Sequence, residues 1–317
     1  MTGYVLGRAL QAIVTLLAAS VLVFLFIHLI PGDPALVYAG ADPTPEKVAA
    51  ATKAFGLDKP LPVQYVVWLS HVIQGDFGYS YFSGLKVASL VGAAFPATVE
   101  LTLAALLVAL VGGISSGVMA ATHQDGLVDY LVSSGSSFAL SLPNFWVGIM
   151  LILVFSLWLG WLPPGGRDAH DLPQAVAVLI LPACTLGLEL GAIVARYTRS
   201  AILEVAGEDY VRTAHAKGIS STLVLRRHVL RNALIPISTV VGIESTRILG
   251  GAVVVESVFA WPGLGRLMVN SLSSRDYLVT QAILLMMVAM FVVANLAVDL
   301  LYTVLDPRVV LRARSVP

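Results

Sequence analysis

The sequence predicts an all-α, polytopic membrane protein with six transmembrane helices. Hydrophobic residues fill 57% of the 317 positions and charged residues only 12%, about half the charged share of an ordinary soluble domain. The mean hydropathy is +0.86. Six apolar runs reach the roughly 20 residues that span a hydrocarbon core about 30 Å thick at about 1.5 Å per residue. They lie at Ala9–Ile30, Ala97–Ala121, Leu131–Leu159, Ala175–Ala195, Ala233–Val255 and Tyr277–Leu305.

The first run follows Arg8 and precedes Ala39-Gly40-Ala41, which resembles a cleavage site. Its apolar stretch is longer than the roughly 7 to 15 residues of a signal core, and Pro31-Gly32-Asp33-Pro34 separates it from those small residues, so an uncleaved helix is expected. Between the first and second runs, residues 31–96 form a loop too long for a turn. Pro43-Thr44-Pro45-Glu46 opens a short helix through Phe55, a second runs from Val63 to Ile73, and a folded cap results. Gly113 and Gly117 give the second run a small-residue face suited to helix packing. Glu100 lies near a span end, as does Asp299 in the sixth run, and snorkelling or capping accounts for both. Cys184, in the fourth run, is the single cysteine, so an intramolecular disulfide is impossible and a packed thiol is expected.

Six spans place both termini on one side, and the basic residues decide which. Arg8, Arg196, Arg199, Arg212, Lys217, Arg226, Arg227, Arg231, Arg308, Arg312 and Arg314 collect on one side. Lys47, Lys53, Lys59, Lys86, Arg167, Arg266 and Arg275 are spread over longer loops on the other. The first side is therefore the expected cytoplasmic one. The connection from Thr122 to Tyr130 holds Asp125 and Asp129 but no Lys or Arg, and gives this orientation no help. Net charge is zero, with 19 basic and 19 acidic side chains, so no global field draws the chain to nucleic acid.

The segment 196–232 is the most charged of the chain. Within it, Glu208 to Lys217 reads as a short amphipathic helix, acidic at its start and basic at its end, with Gly218 able to take the positive φ that stops it. Ser220, Ser221 and Thr222 offer caps for a second helix through Arg231, and Pro236 marks entry to the fifth run. By physics alone, this elbow suits anionic lipid as well as a protein partner.

Two stretches of this segment resemble the EAA loop of ABC importer permeases, in particular the dipeptide and oligopeptide branch. They are Glu208-Asp209-Tyr210-Val211-Arg212-Thr213-Ala214-His215-Ala216-Lys217-Gly218 and His228-Val229-Leu230-Arg231-Asn232-Ala233-Leu234-Ile235-Pro236. The resemblance spans nearly the whole chain. It takes in Leu29-Ile30-Pro31-Gly32-Asp33-Pro34-Ala35, Phe55-Gly56-Leu57-Asp58-Lys59-Pro60-Leu61, Gly75-Asp76-Phe77-Gly78-Tyr79-Ser80 and Ser141-Leu142-Pro143-Asn144-Phe145-Trp146. Val258 to Arg266 and Asp299 to Arg308 complete it.

It implies a type I ABC importer permease fold: a first helix within 1–30, an extracytoplasmic cap at 31–96, a transmembrane domain at 97–305 and a cytoplasmic tail at 306–317. The chain would be a non-catalytic pore-forming subunit in the plasma (inner) membrane. A second homologous permease subunit, two ABC ATPase subunits that use ATP with Mg, and an extracytoplasmic binding protein would complete the importer. Cargo would be di- or oligopeptides, with nickel and glutathione as alternatives. The ATPase-coupling residues carried over are Glu208, Asp209, Tyr210, Thr213, Ala214, His215, Lys217 and Gly218. His215 stands where such permeases usually carry Arg, which would make that contact weaker or sensitive to pH near neutrality.

Glu244 and Arg247 fall near the middle of the fifth run, where charge is costly, so this helix is expected to line the bundle interior or an aqueous path. They are translocation-path candidates able to meet the ammonium and carboxylate of a peptide; the alternative is a self-neutralising pair at spacing three. Glu189 is a further candidate. The histidines show no metal-ligand spacing, so no metal is expected. No G-x-x-x-x-G-K-[ST] occurs, so the chain itself is expected to bind no nucleotide cofactor. A rival class, an ion- or proton-coupled secondary transporter or channel, would use Glu244, Arg247 and Glu189 as a relay, but would not need the elbow.

Overall fold

The computed structural model describes residues 2–29, 34–39, 43–55, 57–167 and 171–305. The Ile30–Asp33 part of the first motif, Gly56, and the tail at 306–317 with its arginines lie outside the described residues. In chain order the helices are α1 (Thr2–His28), α2 (Pro34–Ala39), α3 (Pro45–Phe55), α4 (Leu61–Ile73), α5 (Val87–Thr122), α6 (Leu127–Ser141), α7 (Asn144–Leu151), α8 (Leu172–Ala206), α9 (Asp209–Ala216), α10 (Ser221–Val224), α11 (Arg231–Ser245), α12 (Arg247–Val258), α13 (Leu264–Ser273) and α14 (Tyr277–Leu305). π-helical turns continue α7 over Ile152–Trp158 and join α10 to α11 over Leu225–Leu230.

The helices α1, α5, α8 and α14 are each long and apolar enough to cross a membrane, and two bent pairs bring the number of spans to six. Two of the six runs are not the straight helices expected of them. The third breaks by 109° between α6 and α7. Pro143 disfavours helical backbone at the residue before it, and Leu142 is accordingly extended (φ −91°, ψ 133°). The fifth bends by 50° at Thr246. There the Ser245 and Thr246 hydroxyls donate to the carbonyls of Gly242 and Ile243, each at 3.0 Å, a back-bonding pattern that bends helices. Boundaries moved too: α5 begins at Val87 rather than Ala97, and α8 extends to Ala206.

Contacts divide the chain into two compact units. The unit formed by Val5–Val99 and Trp261–Leu296 holds the cap helices and a core of Val87, Val91, Leu264, Leu278, Val279 and Ile283. Its motif residues are structural. Gly78 takes φ +76°. The Ser80 hydroxyl and the Tyr81 and Phe82 N–H groups, the latter two at 3.2 and 3.3 Å, all donate to the Asp276 carboxylate. The fully buried Trp261 donates its indole N–H to the Ala97 carbonyl at 2.8 Å, and the Leu264 N–H donates to the Thr98 hydroxyl at 2.8 Å. Trp261→Ala is expected to cost about 3–5 kcal/mol, because a large buried volume and a hydrogen bond go together. Thermal unfolding of the detergent-purified chain, read against Trp261→Phe as the milder control, checks it.

In the unit centred on Glu100–Ala260, α5 and α8 pack backbone to backbone. A Cβ on Gly113 would stand 2.6 Å from the Gly191 carbonyl oxygen, and one on Gly117 would stand 2.5 Å from that of Ala195. The small-residue face read from the sequence is therefore this seam. Glu100 has a partner in another segment: Arg167 donates to its carboxylate through Nε at 2.9 Å and Nη2 at 2.8 Å.

Candidate functional site

Two features of the second unit carry chemistry. The first is the elbow. Helix α9 turns Val211 and Ala214 into a core with Ile202, Val224, Val229, Ala233 and Ile237. Glu208, Asp209, Tyr210, Thr213, His215, Lys217 and Gly218 all lie exposed on its outer side. Ala214 departs from this outward set, since it is buried and holds the helix down. The stop at Gly218 has the expected cause: φ is +78°, and its N–H donates to the His215 carbonyl at 2.9 Å. Asp209 and Arg212 pair at 3.5 Å, but with both side chains in water the pair contributes little.

Two fastenings of the elbow escaped the sequence reading. Asn232 Nδ2 donates to the Tyr210 hydroxyl at 3.0 Å, which ties α9 to the start of α11. Asp129, 4% exposed at the start of α6, accepts a bidentate pair from Arg199 near the end of α8, at 2.5 Å (Nε) and 2.7 Å (Nη2). Asp129 also accepts from the Asp125 N–H at 3.0 Å and the Ser133 hydroxyl at 3.2 Å. The signal lay in the basic-poor connection around Asp125 and Asp129, whose acid needed a cation from another helix.

The second feature is a cavity of about 130 Å³ lined by Asn144, Leu186, Glu189, Leu190, Ile193, Glu244, Arg247, Ile248 and Gly251. All three charged residues singled out in the sequence meet there. Arg247 Nη1 donates to Glu244 Oε2 at 3.0 Å, so the spacing-three pair does form. It straddles the bend at Thr246, with Glu244 in α11 and Arg247 in α12. Its members differ: the Arg247 side chain is 70% exposed and that of Glu244 only 21%. Glu189, on α8, accepts from Asn144 Nδ2 at 3.1 Å, and Asn144 is the first residue of α7, immediately beyond the other break. Both broken spans thus present their breaks to one polar cavity. Among the described residues, no group of three His, Cys, Asp or Glu side chains is placed to hold a metal ion.

Helices of membrane-spanning length, two of them broken beside a charged cavity, and an elbow with a polar outer face together define a transport protein's membrane subunit. The family of binding-protein-dependent transport system inner membrane components matches residues 113–311, and its N-terminal counterpart matches residues 1–102. The chain belongs to this family and is a multi-pass ABC importer permease subunit, not an enzyme. It is 43% identical over 309 residues to the glutathione transport system permease protein GsiC of Salmonella paratyphi A, covering 98% of this chain and 99% of that one. It is 42% identical, over the same shares, to GsiC of Escherichia coli K12. Among solved structures, the inward-facing MetNI methionine ABC transporter shares the fold at 18% identity and a TM-score of 0.57, over 68% of this chain and 96% of that one. An amino acid ABC transporter structure with histidines does so at 18% identity and a TM-score of 0.51, over 76% and 98%.

Proposed function

We propose that the chain forms the pathway of an importer for short peptides, with glutathione-sized cargo included, delivered by an extracytoplasmic binding protein. The observation that carries this reading is the 43% identity, end to end, with a glutathione transport permease. The cavity supports it, since side chains of both signs suit a zwitterionic cargo. The pathway is completed by a second, related permease subunit. Two ATPases supply the work, using ATP with Mg. Both termini lie in the cytoplasm, as the distribution of arginines favours.

The elbow is the surface on which an ATPase docks. Glu208, Asp209, Tyr210, Thr213, His215, Lys217 and Gly218 meet it, while Ala214 supports them from within. From there Tyr210 and Asn232 join α9 to α11, and α11 ends at the bend beside Glu244 and Arg247. A displaced elbow therefore has a continuous helical lever into the cavity.

The test is reconstitution of the permease pair with its ATPases in liposomes, with the binding protein outside. ATP-dependent accumulation of glutathione or a dipeptide is expected, with none when ATP or the binding protein is omitted. Accumulation of nickel alone would overturn the peptide reading. Uptake that follows a proton gradient without ATP would overturn the coupling.

A further inference from the structure

We infer that Glu189 is the acceptor for the free ammonium group of the cargo, an inference that rests on the peptide-import reading above. The charge balance of the cavity carries it. Arg247 is committed to Glu244 at 3.0 Å. Glu189 receives its hydrogen bond from an uncharged amide, that of Asn144 at 3.1 Å. The rest of the lining, Leu186, Leu190, Ile193, Ile248 and Gly251, offers no side-chain donor. The cavity therefore carries one negative charge that no cation in its lining matches. Asn144 opens α7, and a helix start supplies at most about half a positive charge, so a deficit remains for a cation to fill.

The cavity, about 130 Å³, opens to solvent on one side, so the charged end of a peptide can enter it while the rest of the peptide lies outside. An ammonium with three donors matches a carboxylate that has lone pairs to spare, in a charge-assisted bond stronger than a neutral one.

The assembled importer in liposomes tests this, with alanyl-alanine and N-acetyl-alanyl-alanine as paired cargoes at saturating binding protein. The readout is the ratio of their uptake rates. The binding protein's own preference is common to all permease variants and cancels when they are compared. With the native chain the free-amine peptide is expected to be favoured. In Glu189→Gln the ratio is expected to fall by roughly tenfold or more, the worth of one charge-assisted hydrogen bond, while Glu189→Asp retains most of it. Should Glu189→Gln fail to assemble, Ile193→Lys, which sets an ammonium inside the cavity, is expected to erase the preference in the same way. An unchanged ratio in an assembled, ATP-hydrolysing Glu189→Gln importer would overturn the assignment and leave Glu189 as a partner for Asn144 alone. Absence of uptake of either peptide by the native chain would remove the peptide reading itself.

Discussion

Asp129→Asn is expected to lower the thermal midpoint of the purified chain by about 5 °C or more and to reduce assembly with the ATPases, although the residue lies outside the proposed docking face and the cavity. Replacing a buried carboxylate by an amide leaves its partner cation without a counter-charge. Here that charge is Arg199, whose Nε and Nη2 both donate to the same carboxylate at 2.5 and 2.7 Å. Arg199→Lys should show a smaller loss of its own, because an ammonium keeps the charge but cannot reproduce the two-pronged geometry. The reversed pair, Asp129→Arg with Arg199→Asp, should also fall short. The Asp125 N–H and Ser133 hydroxyl now donate to Asp129, and a guanidinium accepts nothing. Adding the single variants Asp129→Arg and Arg199→Asp to the reversed pair and the native chain closes a double-mutant cycle. An Asp129→Asn chain with native midpoint and native import would show that the pair fixes nothing.

The pair matters because of where α8 goes next. Only Gly207 and Glu208 separate its last residue from α9. Holding the end of α8 against α6 thus sets the platform from which the elbow projects.

What could be read from the sequence, and what could not, follows from the range of the interactions. The six spans were legible because lipid demands length and apolarity, both of which are local. The elbow was legible because capping, charge order and a glycine at the stop are local too. The breaks were only half visible. Pro143 stood in the third run and Ser245-Thr246 in the fifth, but small hydroxyl residues bend a helix only when they back-bond, and sequence does not show which do. Pairings between distant helices were invisible. Asp129 with Arg199, Glu100 with Arg167 and Trp261 with the Ala97 carbonyl each join residues more than sixty positions apart. Glu189, Glu244 and Arg247 were each conspicuous as intramembrane charges, but their meeting in one cavity depended on the two breaks, and so on the fold.

The largest loss of transport is expected from Val211→Asp. Val211 is buried under α9, in the core that Ala214, Val224, Val229 and Ile237 complete. A carboxylate placed there has no cation in that apolar cluster, so the helix must lift or the core must open. The apolar spans keep their length and composition, so the variant is expected to reach the membrane, which membrane fractionation checks. Its import is expected to fall roughly a hundredfold, and its ATPase should no longer co-purify, if several kcal/mol of docking geometry are lost. Gly218→Val should give an intermediate result. A β-branched residue at φ +78° costs about 1–3 kcal/mol, which redirects the bend without dissolving the core. Tyr210→Phe, which removes only the hydroxyl that Asn232 holds at 3.0 Å, should leave the ATPase bound while weakening the link from elbow to α11. Its expected signature is ATP hydrolysis retained and import reduced. The three variants therefore separate support, shape and transmission of one surface. If Val211→Asp imported at the native rate with its ATPase still attached, the motor would have to dock elsewhere.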